Sequence, residues 1–335
     1  MTRTIIISLY LAFCLVLLYS LHERVNPSRD KRFSTNRDVY FIYQDATALS
    51  QGINPYARIS GHNLTENQKY TFYLPGFLLA AASSIKLGLN DYHQWMKSWL
   101  SVSMLFHIGI GVLLFLLLYK KDENLLLPII GSSFWLFSRW PLALFRSGQI
   151  DAVPIFFMLL CMVLWGRNRR LAFISLGISL SIKQMAVFLV PLFLLWAWNE
   201  AAPNRRFVEL KGYLIALLAI PIALSLPFII WDPESYLKML VFPLTRDPVG
   251  ARSAELAFQL PSILFKLPFF VMLAGIYWLA FRNQISKYGA LLLVMISFLA
   301  FNSVFFTRYF CWAMPLIPLA CLPWLKPPVQ TEKIV

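Results

Sequence analysis

Stretches of apolar residues, each long enough to form a helix, recur along almost the whole chain. Because a helix of about 20 apolar residues crosses a bilayer, this repetition predicts a polytopic helical membrane protein. Several runs are shorter than that length, which a large bundle tolerates where the segments are buried in protein or line a cavity. The runs cover residues 4–21, 98–119, 125–138, 152–166, 171–183, 184–198, 212–230, 260–281, 288–306 and 309–325.

We therefore expect an all-α integral membrane protein, a helical bundle of about ten spans. A single membrane domain covers residues 1–325, and a cytoplasmic tail follows at 326–335. The polar stretch after the first run predicts a long extracytoplasmic loop, 22–74, that contains short amphipathic helices. The apolar segment 75–89 is too short to span a bilayer and is typical of an interfacial or re-entrant helix.

The charged residues do not overturn the prediction of a membrane protein, although the net charge of the chain is high. They make up 14% of the chain, against about 25% in soluble domains. The formal net charge of +14 is spread over the segments between apolar runs, which argues against a separate nucleic-acid-binding domain. Compact basic loops, such as Lys120-Lys121 and Gly166–Arg170, predict a cytoplasmic amino terminus under the positive-inside rule, provided that the segment 75–89 does not cross the membrane.

Cysteines and histidines show no pattern for metal or disulfide chemistry. The four cysteines lie inside apolar runs and the four histidines are scattered, so neither set has a metal-ligand spacing. We therefore expect no disulfide framework, no metal site and no cofactor.

The first loop contains the segment richest in candidate chemistry, residues 38–56. Its apolar spacing predicts an amphipathic helix that ends before Gly52. Asp38 begins this helix just outside the first span, where a carboxylate can act as general base for a sugar hydroxyl. Capping of the helix is the alternative interpretation of Asp38, because Asp is a favoured N-cap residue. Asp45 is a second acidic candidate in the same helix.

Four short motifs follow one another along the first two thirds of the chain. They are Asp38 followed by Tyr43, Ala46, Leu49, Gly52 and Pro55-Tyr56, then Tyr73-Leu74-Pro75, Gly148-Gln149, and Gly177 with Lys183. In their order and spacing these motifs resemble glycosyltransferase family 87, a GT-C family of membrane enzymes that use polyprenyl-phosphate sugars. The last third of the chain matches this family only in general character.

This resemblance implies a lipid-linked sugar phosphate as donor, bound from the membrane on the outer face. It implies that the first outer loop carries the catalytic acidic residue, and Asp38 is the residue at the matching position. We further predict that Tyr43, Tyr56 and Asp45 of this loop contact substrate. The chain lacks the Asp-x-Asp or Asp-Asp pair of some GT-C relatives at this point, which favours a metal-independent reaction. The family includes mannosyltransferases and arabinosyltransferases, so the sugar itself does not carry over.

Cations at predicted outer helix ends are candidates for the donor phosphate, because Arg and Lys stabilise a leaving phosphate without metal. Snorkelling to the interface is the alternative for the lysine, and anchoring in the interfacial aromatic belt is the alternative for the arginines. The candidates are Lys183, Arg308, Arg146 and Arg139.

Two polar residues follow Gly148 at a predicted helix start, a position that favours contact with anions or hydroxyls. We predict that Gln149 contacts donor or acceptor. Ordinary capping of the helix is the alternative interpretation of Asp151.

Together these features predict a glycosyltransferase, more narrowly a hexosyltransferase and first of all a mannosyltransferase, that acts by inversion at the cell envelope. It would lie in the plasma membrane with its active site on the extracytoplasmic face. Its partners would be a polyprenyl-phosphate-linked sugar, a lipid or glycan acceptor and membrane lipid, without nucleic acid. A transporter or flippase of lipid-linked saccharides is the alternative, although no repeated halves are visible. A polymerase of surface polysaccharide is a third interpretation.

Overall fold

The computed structural model describes residues 3–23, 38–60, 73–119, 125–245, 262–302 and 307–322, and the regular elements of these residues are all helical. The predicted tail at 326–335, parts of the first loop and the Lys120-Lys121 pair lie outside them. The α-helices are α1 (Arg3–Glu23), α2 (Asp38–Ser50), α3 (Gly76–Lys86), α4 (Tyr92–Leu118), α5 (Leu126–Phe137), α6 (Arg139–Arg146), α7 (Ala152–Leu164), α8 (Arg169–Ile182), α9 (Val190–Glu200), α10 (Arg206–Trp231), α11 (Pro233–Thr245), α12 (Ser262–Phe281), α13 (Lys287–Phe301) and α14 (Leu316–Ala320). Three 3-10 segments lie at Ala57–Ile59, Gln184–Leu189 and Thr307–Trp312.

Three helices of the described residues are long and apolar enough to cross a membrane: Thr4–Glu23, Tyr92–Leu118 and Arg206–Trp231. At a rise of about 1.5 Å per residue, the last two extend for about 40 Å. These helices support the prediction of a helical membrane protein. The number of ten spans stays a prediction, because only these three helices of the described residues meet both the length and the hydropathy of a span.

The short helices agree with the sequence pattern in two places. The apolar segment 75–89 forms α3, whose 11 residues extend for only about 16 Å, less than the thickness of a bilayer core. The predicted helix of the first loop is α2, and it ends at Ser50, before Gly52 adopts a positive φ of 81°. Glycine has no Cβ, so it accepts this conformation without strain.

Helix α8 lies at the centre of the bundle and packs against α7 on one side and α10 on the other. Its approach to α10 requires Gly177, because a Cβ at this position would overlap the main-chain oxygen of Leu217. The adjoining layer consists of α4 packed on α5 and α7. A second apolar cluster joins α2 and α3 to the start of α4 and to α11, and it holds the first-loop helix against the bundle.

The two ends of the bundle contain different ion pairs. At one end, the start of α7 meets the end of α8, and Asp151 pairs with Lys183. At the other, Glu200 at the end of α9 pairs with Arg169 at 2.5 Å and with Lys287. Because Arg169 begins α8 and Lys183 follows its last residue, the two sets of ion pairs lie at opposite ends of this helix.

Candidate functional site

A cavity of about 350 Å³ lies at the end of the bundle that holds Lys183. Its wall is mostly apolar, and it consists of residues from the 3-10 segment after α8, from α11, α12 and α13, and from the segment around residue 309. Five phenylalanines line it: Phe188, Phe269, Phe270, Phe298 and Phe301. Its polar lining residues are Tyr73, Lys183, Gln184, Lys266, Asn302 and Tyr309.

Lys183 is placed at this cavity by a break in the helix. Helix α8 ends at Ile182, and Lys183 takes an extended conformation with φ −151° and ψ 124° before the 3-10 segment begins. The side chain is buried, with 5% of its surface exposed. Its Nζ lies 5.3 Å from the ring centroid of Tyr73 and 5.2 Å from that of Tyr309, so both rings contact the ammonium as cation–π partners. The alternative of snorkelling to the interface is therefore wrong.

Asp151 is the acidic partner of this lysine. Its Oδ1 lies 2.5 Å from the Nζ of Lys183 and also accepts a hydrogen bond of 2.8 Å from the indole Nε1 of Trp312. The carboxylate makes no capping hydrogen bond to α7, so the capping interpretation of Asp151 is wrong. Among the described residues, its Oδ2 is buried without a hydrogen-bond partner.

A glycine turn sets the position of Asp151. Gly148 has a positive φ of 64°, and a Cβ there would overlap Met96. Its main-chain oxygen accepts a hydrogen bond of 2.6 Å from the indole of Trp99, which fixes the turn against α4. Gln149 is buried in the same turn, two positions before Asp151 in the chain.

Asp38 and Arg308 form an ion pair at the same end of the bundle. Both side chains are partly exposed, and the guanidinium carbon of Arg308 lies 6.0 Å from the ring centroid of Tyr309. Since Lys183 contacts the same ring, two cations of the predicted phosphate site flank one tyrosine of the cavity wall. The structure thus brings together Asp38, Lys183 and Arg308, three residues that the sequence singled out separately.

Asp45 lies in a different environment, on the buried face of α2 and away from the cavity wall. It pairs with Arg58, whose Nη2 is 2.8 Å from its Oδ1. Burial raises the pKa of the Asp45 carboxyl to about 7, and the nearby guanidinium opposes this shift only in part.

The two tyrosines predicted to contact substrate lie in the second apolar cluster. The hydroxyl of Tyr43 donates to the main-chain oxygen of Asn90, and its ring packs on Trp95 at 5.4 Å. The hydroxyl of Tyr56 donates to the main-chain oxygen of Tyr73 at 2.9 Å. Tyr56 therefore supports a residue of the cavity wall, whereas Tyr43 joins α2 to the turn before α4.

The other two predicted phosphate ligands are placed at the ends of α6. Arg139 is exposed and Arg146 is half-buried. Neither lines the cavity, although α6 packs against the 3-10 segment Thr307–Trp312 that holds Arg308.

Several residues of this site were not singled out from the sequence: Tyr309 and Trp312 as neighbours of the cations, Asp151 as an ion-pair partner, and Lys266 and Asn302 in the wall. Tyr309 and Trp312 follow Arg308 by one and four residues, so the aromatic run around this arginine was an available signal. No local pattern links Trp312 to Asp151, which lies 161 positions earlier.

In the part of the chain that the structure describes, no group of three or more His, Cys, Asp or Glu side chains is placed to hold a metal ion. Metal-independent chemistry stays a prediction.

Comparisons with protein-family models, with curated proteins and with solved structures found no match. The resemblance to glycosyltransferase family 87 therefore stays an expectation from the motifs, and the geometry of the cavity carries the functional argument.

Proposed function

We propose that this protein is a membrane glycosyltransferase of the GT-C type. It would move a hexosyl residue, with mannosyl as the first expectation, from a polyprenyl-phosphate sugar to a lipid or glycan acceptor on the extracytoplasmic face of the plasma membrane. The observation that carries the proposal is the cavity, whose wall combines five phenylalanines with the buried ammonium of Lys183.

The two chemical parts of such a donor match the two parts of the cavity. An isoprenoid chain is apolar and branched, and rings such as Phe188, Phe269 and Phe298 offer it a dry surface. A phosphate carries charge, which a cation in a low-dielectric wall attracts strongly. A volume of about 350 Å³ is within the usual range of ligand pockets and suits the phosphate with the first isoprene units. The rest of the chain would lie in the bilayer.

The ion pair between Asp38 and Arg308 would supply the general base and a second cation for the phosphate. In the proposed single displacement, a hydroxyl of the acceptor transfers its proton to Asp38 as its oxygen bonds to the anomeric carbon. The bond between that carbon and the phosphate oxygen breaks, and polyprenyl phosphate leaves with the bonding pair. Lys183 and Arg308 stabilise the charge that develops on the leaving phosphate. Displacement from the opposite side inverts the anomeric centre.

The test is transfer of radiolabel from polyprenyl-phosphate mannose to lipids and glycans in membranes that contain equal amounts of each protein. We would compare the native protein with Asp38→Asn and Lys183→Met. Glu234→Gln and Lys238→Met are matched controls, since these residues pair with each other on α11 and Glu234 is largely exposed. We expect transfer by the native protein and both controls, and a loss of about a hundredfold or more in the two site variants.

The outcomes separate the parts of this proposal. Transfer that survives Asp38→Asn removes Asp38 as the base but leaves the enzyme. Absence of transfer with mannose and with other hexosyl donors contradicts the proposed function. Movement of a lipid-linked saccharide across vesicles that contain the native protein would then identify a transporter.

A further inference from the structure

We propose that Asp151 is a positioning residue, which holds the ammonium of Lys183 at the cavity wall as the ligand of a lipid phosphate. This inference rests on the phosphate-binding part of the proposed function, and it does not depend on sugar transfer. It assigns a role to a carboxylate outside the cavity wall.

The contacts of Lys183 show how its position is set. Its ammonium is 2.5 Å from Oδ1 of Asp151 and lies near the rings of Tyr73 and Tyr309, which themselves line the cavity. Over the described ranges, Asp151 is the one carboxylate in ion-pair contact with it. A lysine has four rotatable bonds, and the carboxylate together with the two rings confines its end to one side of the cavity.

Asp151 is itself immobilised by the fold. It is buried, with 1% of its surface exposed, and it follows the Gly148 turn at the start of α7. The indole of Trp312 donates to the same oxygen that contacts the lysine, at 2.8 Å. Because Asp151 does not line the cavity, any influence it has on a ligand there passes through Lys183.

Stability alone does not explain such a pair. Taking two opposite charges out of water costs about as much as their attraction returns, so a buried ion pair contributes little compared with apolar residues of the same volume. The buried Oδ2 of Asp151, which has no hydrogen-bond partner in the described parts of the chain, adds to that cost. The pair does fix an ammonium group at an apolar cavity wall. Apolar residues in the same place could not do so.

The second cation of the site is held in the same way. Asp38 pairs with Arg308, and both Arg308 and Lys183 lie against the ring of Tyr309. The two cations thus face a common ring, and each has an acidic partner. These four side chains are neutral in sum before a ligand arrives, and an entering phosphate meets both cations already in place, which lowers the cost of ordering them.

The test measures binding to the full-length protein in nanodiscs of zwitterionic phosphatidylcholine, with farnesyl phosphate as probe and farnesol as its uncharged counterpart. The variants are Asp151→Asn, Lys183→Met and the double variant. We expect Asp151→Asn to weaken farnesyl phosphate about tenfold and to leave farnesol unchanged. In the Lys183→Met background, Asp151→Asn should cause no further loss.

Trp312→Phe is a second, milder variant that removes the hydrogen bond to Asp151 and keeps an aromatic ring. It should weaken farnesyl phosphate about threefold, again without effect on farnesol. It keeps the inference testable if Asp151→Asn does not fold, as judged by thermal unfolding.

Four results would overturn the inference: no binding of farnesyl phosphate by the native protein, unchanged binding of it by Asp151→Asn, equal losses for both probes, or independent losses in the double variant. Selective and non-additive losses support it even if no sugar is transferred, in which case only the proposed enzyme activity fails. Conversely, sugar transfer with unchanged phosphate binding in Asp151→Asn would leave the enzyme and remove the positioning role.

Discussion

Asp38 and Arg308 lie 270 positions apart in the chain and form an ion pair next to Tyr309, a residue of the cavity wall. One begins the helix of the first loop, and the other lies in the 3-10 segment Thr307–Trp312 near the end of the described chain. The pair therefore joins the first loop to the last elements of the bundle. It also places the candidate base next to a candidate ligand of the leaving phosphate.

This pairing predicts that Arg308 affects catalysis beyond donor binding. Arg308→Gln should lower the rate of the proposed transfer from polyprenyl-phosphate mannose by about a hundredfold, because it removes both the partner of Asp38 and a cation of the proposed phosphate site. Arg308→Lys keeps the charge but not the planar fork, so its loss should be smaller. Initial rates at saturating donor measure both effects. Arg205→Gln, an exposed arginine at the other end of the bundle, is the control, and an equal loss there would contradict the prediction.

The cavity predicts a different kinetic signature for a residue at its edge. Val187 lines the cavity and is 46% exposed, so a larger side chain there narrows the space without crowding the core. Val187→Trp should raise the KM for a polyprenyl-phosphate sugar about tenfold and leave kcat nearly unchanged. Val208→Trp, on the exposed face of α10, should change neither constant. A fall in kcat with constant KM would show that the cavity does not receive the donor.

The raised pKa of Asp45 predicts that the stability of the protein depends on pH. Its folded pKa is about 7, above its usual value of 3.8, so between these two values the folded state holds a proton that the unfolded state has released. The contribution of Asp45 to the free energy of unfolding is therefore greatest below about pH 4. It falls by up to about 4 kcal/mol as the pH rises to 7. Above pH 7 this contribution is constant.

Thermal unfolding of the native protein between pH 5 and pH 8 checks this sign. The Tm should fall with rising pH more steeply in the native protein than in Asp45→Asn, whose amide does not titrate. If the Tm of the two proteins changed with pH in parallel, the pKa of Asp45 would be the same in the folded and the unfolded state, and the prediction would be wrong.

The contact between α8 and α10 predicts a strong effect at one glycine. Gly177→Ala should destabilise the bundle by about 1–3 kcal/mol, since its Cβ would overlap the main-chain oxygen of Leu217 and backbone cannot move aside as a side chain does. Gly212→Ala on α10 has nothing within 4 Å of the added Cβ and should be neutral or stabilising. The Tm of each variant measures the difference. A Gly177→Ala protein as stable as the native one would show that the helices can separate at little cost.

The helical character of the protein and much of its segmentation could be predicted from the sequence, because both depend on neighbours along the chain. Apolar runs indicated the long helices, and Gly52 marked the end of α2. The break after Ile182 was visible as a polar lysine between two apolar runs. The choice of Asp38, Lys183 and Arg308 also began from local patterns, namely a charged residue at the edge of an apolar segment.

The tertiary structure alone decided which charges meet. It paired Asp151 with Lys183 and Trp312, it paired Asp38 with Arg308, and it left Arg139 out of the cavity wall. These outcomes depend on how α7, α8 and the segment around residue 309 pack, which no spacing within one segment encodes. A buried charge requires a partner, but the partner can come from any element that ends at the same face of the bundle.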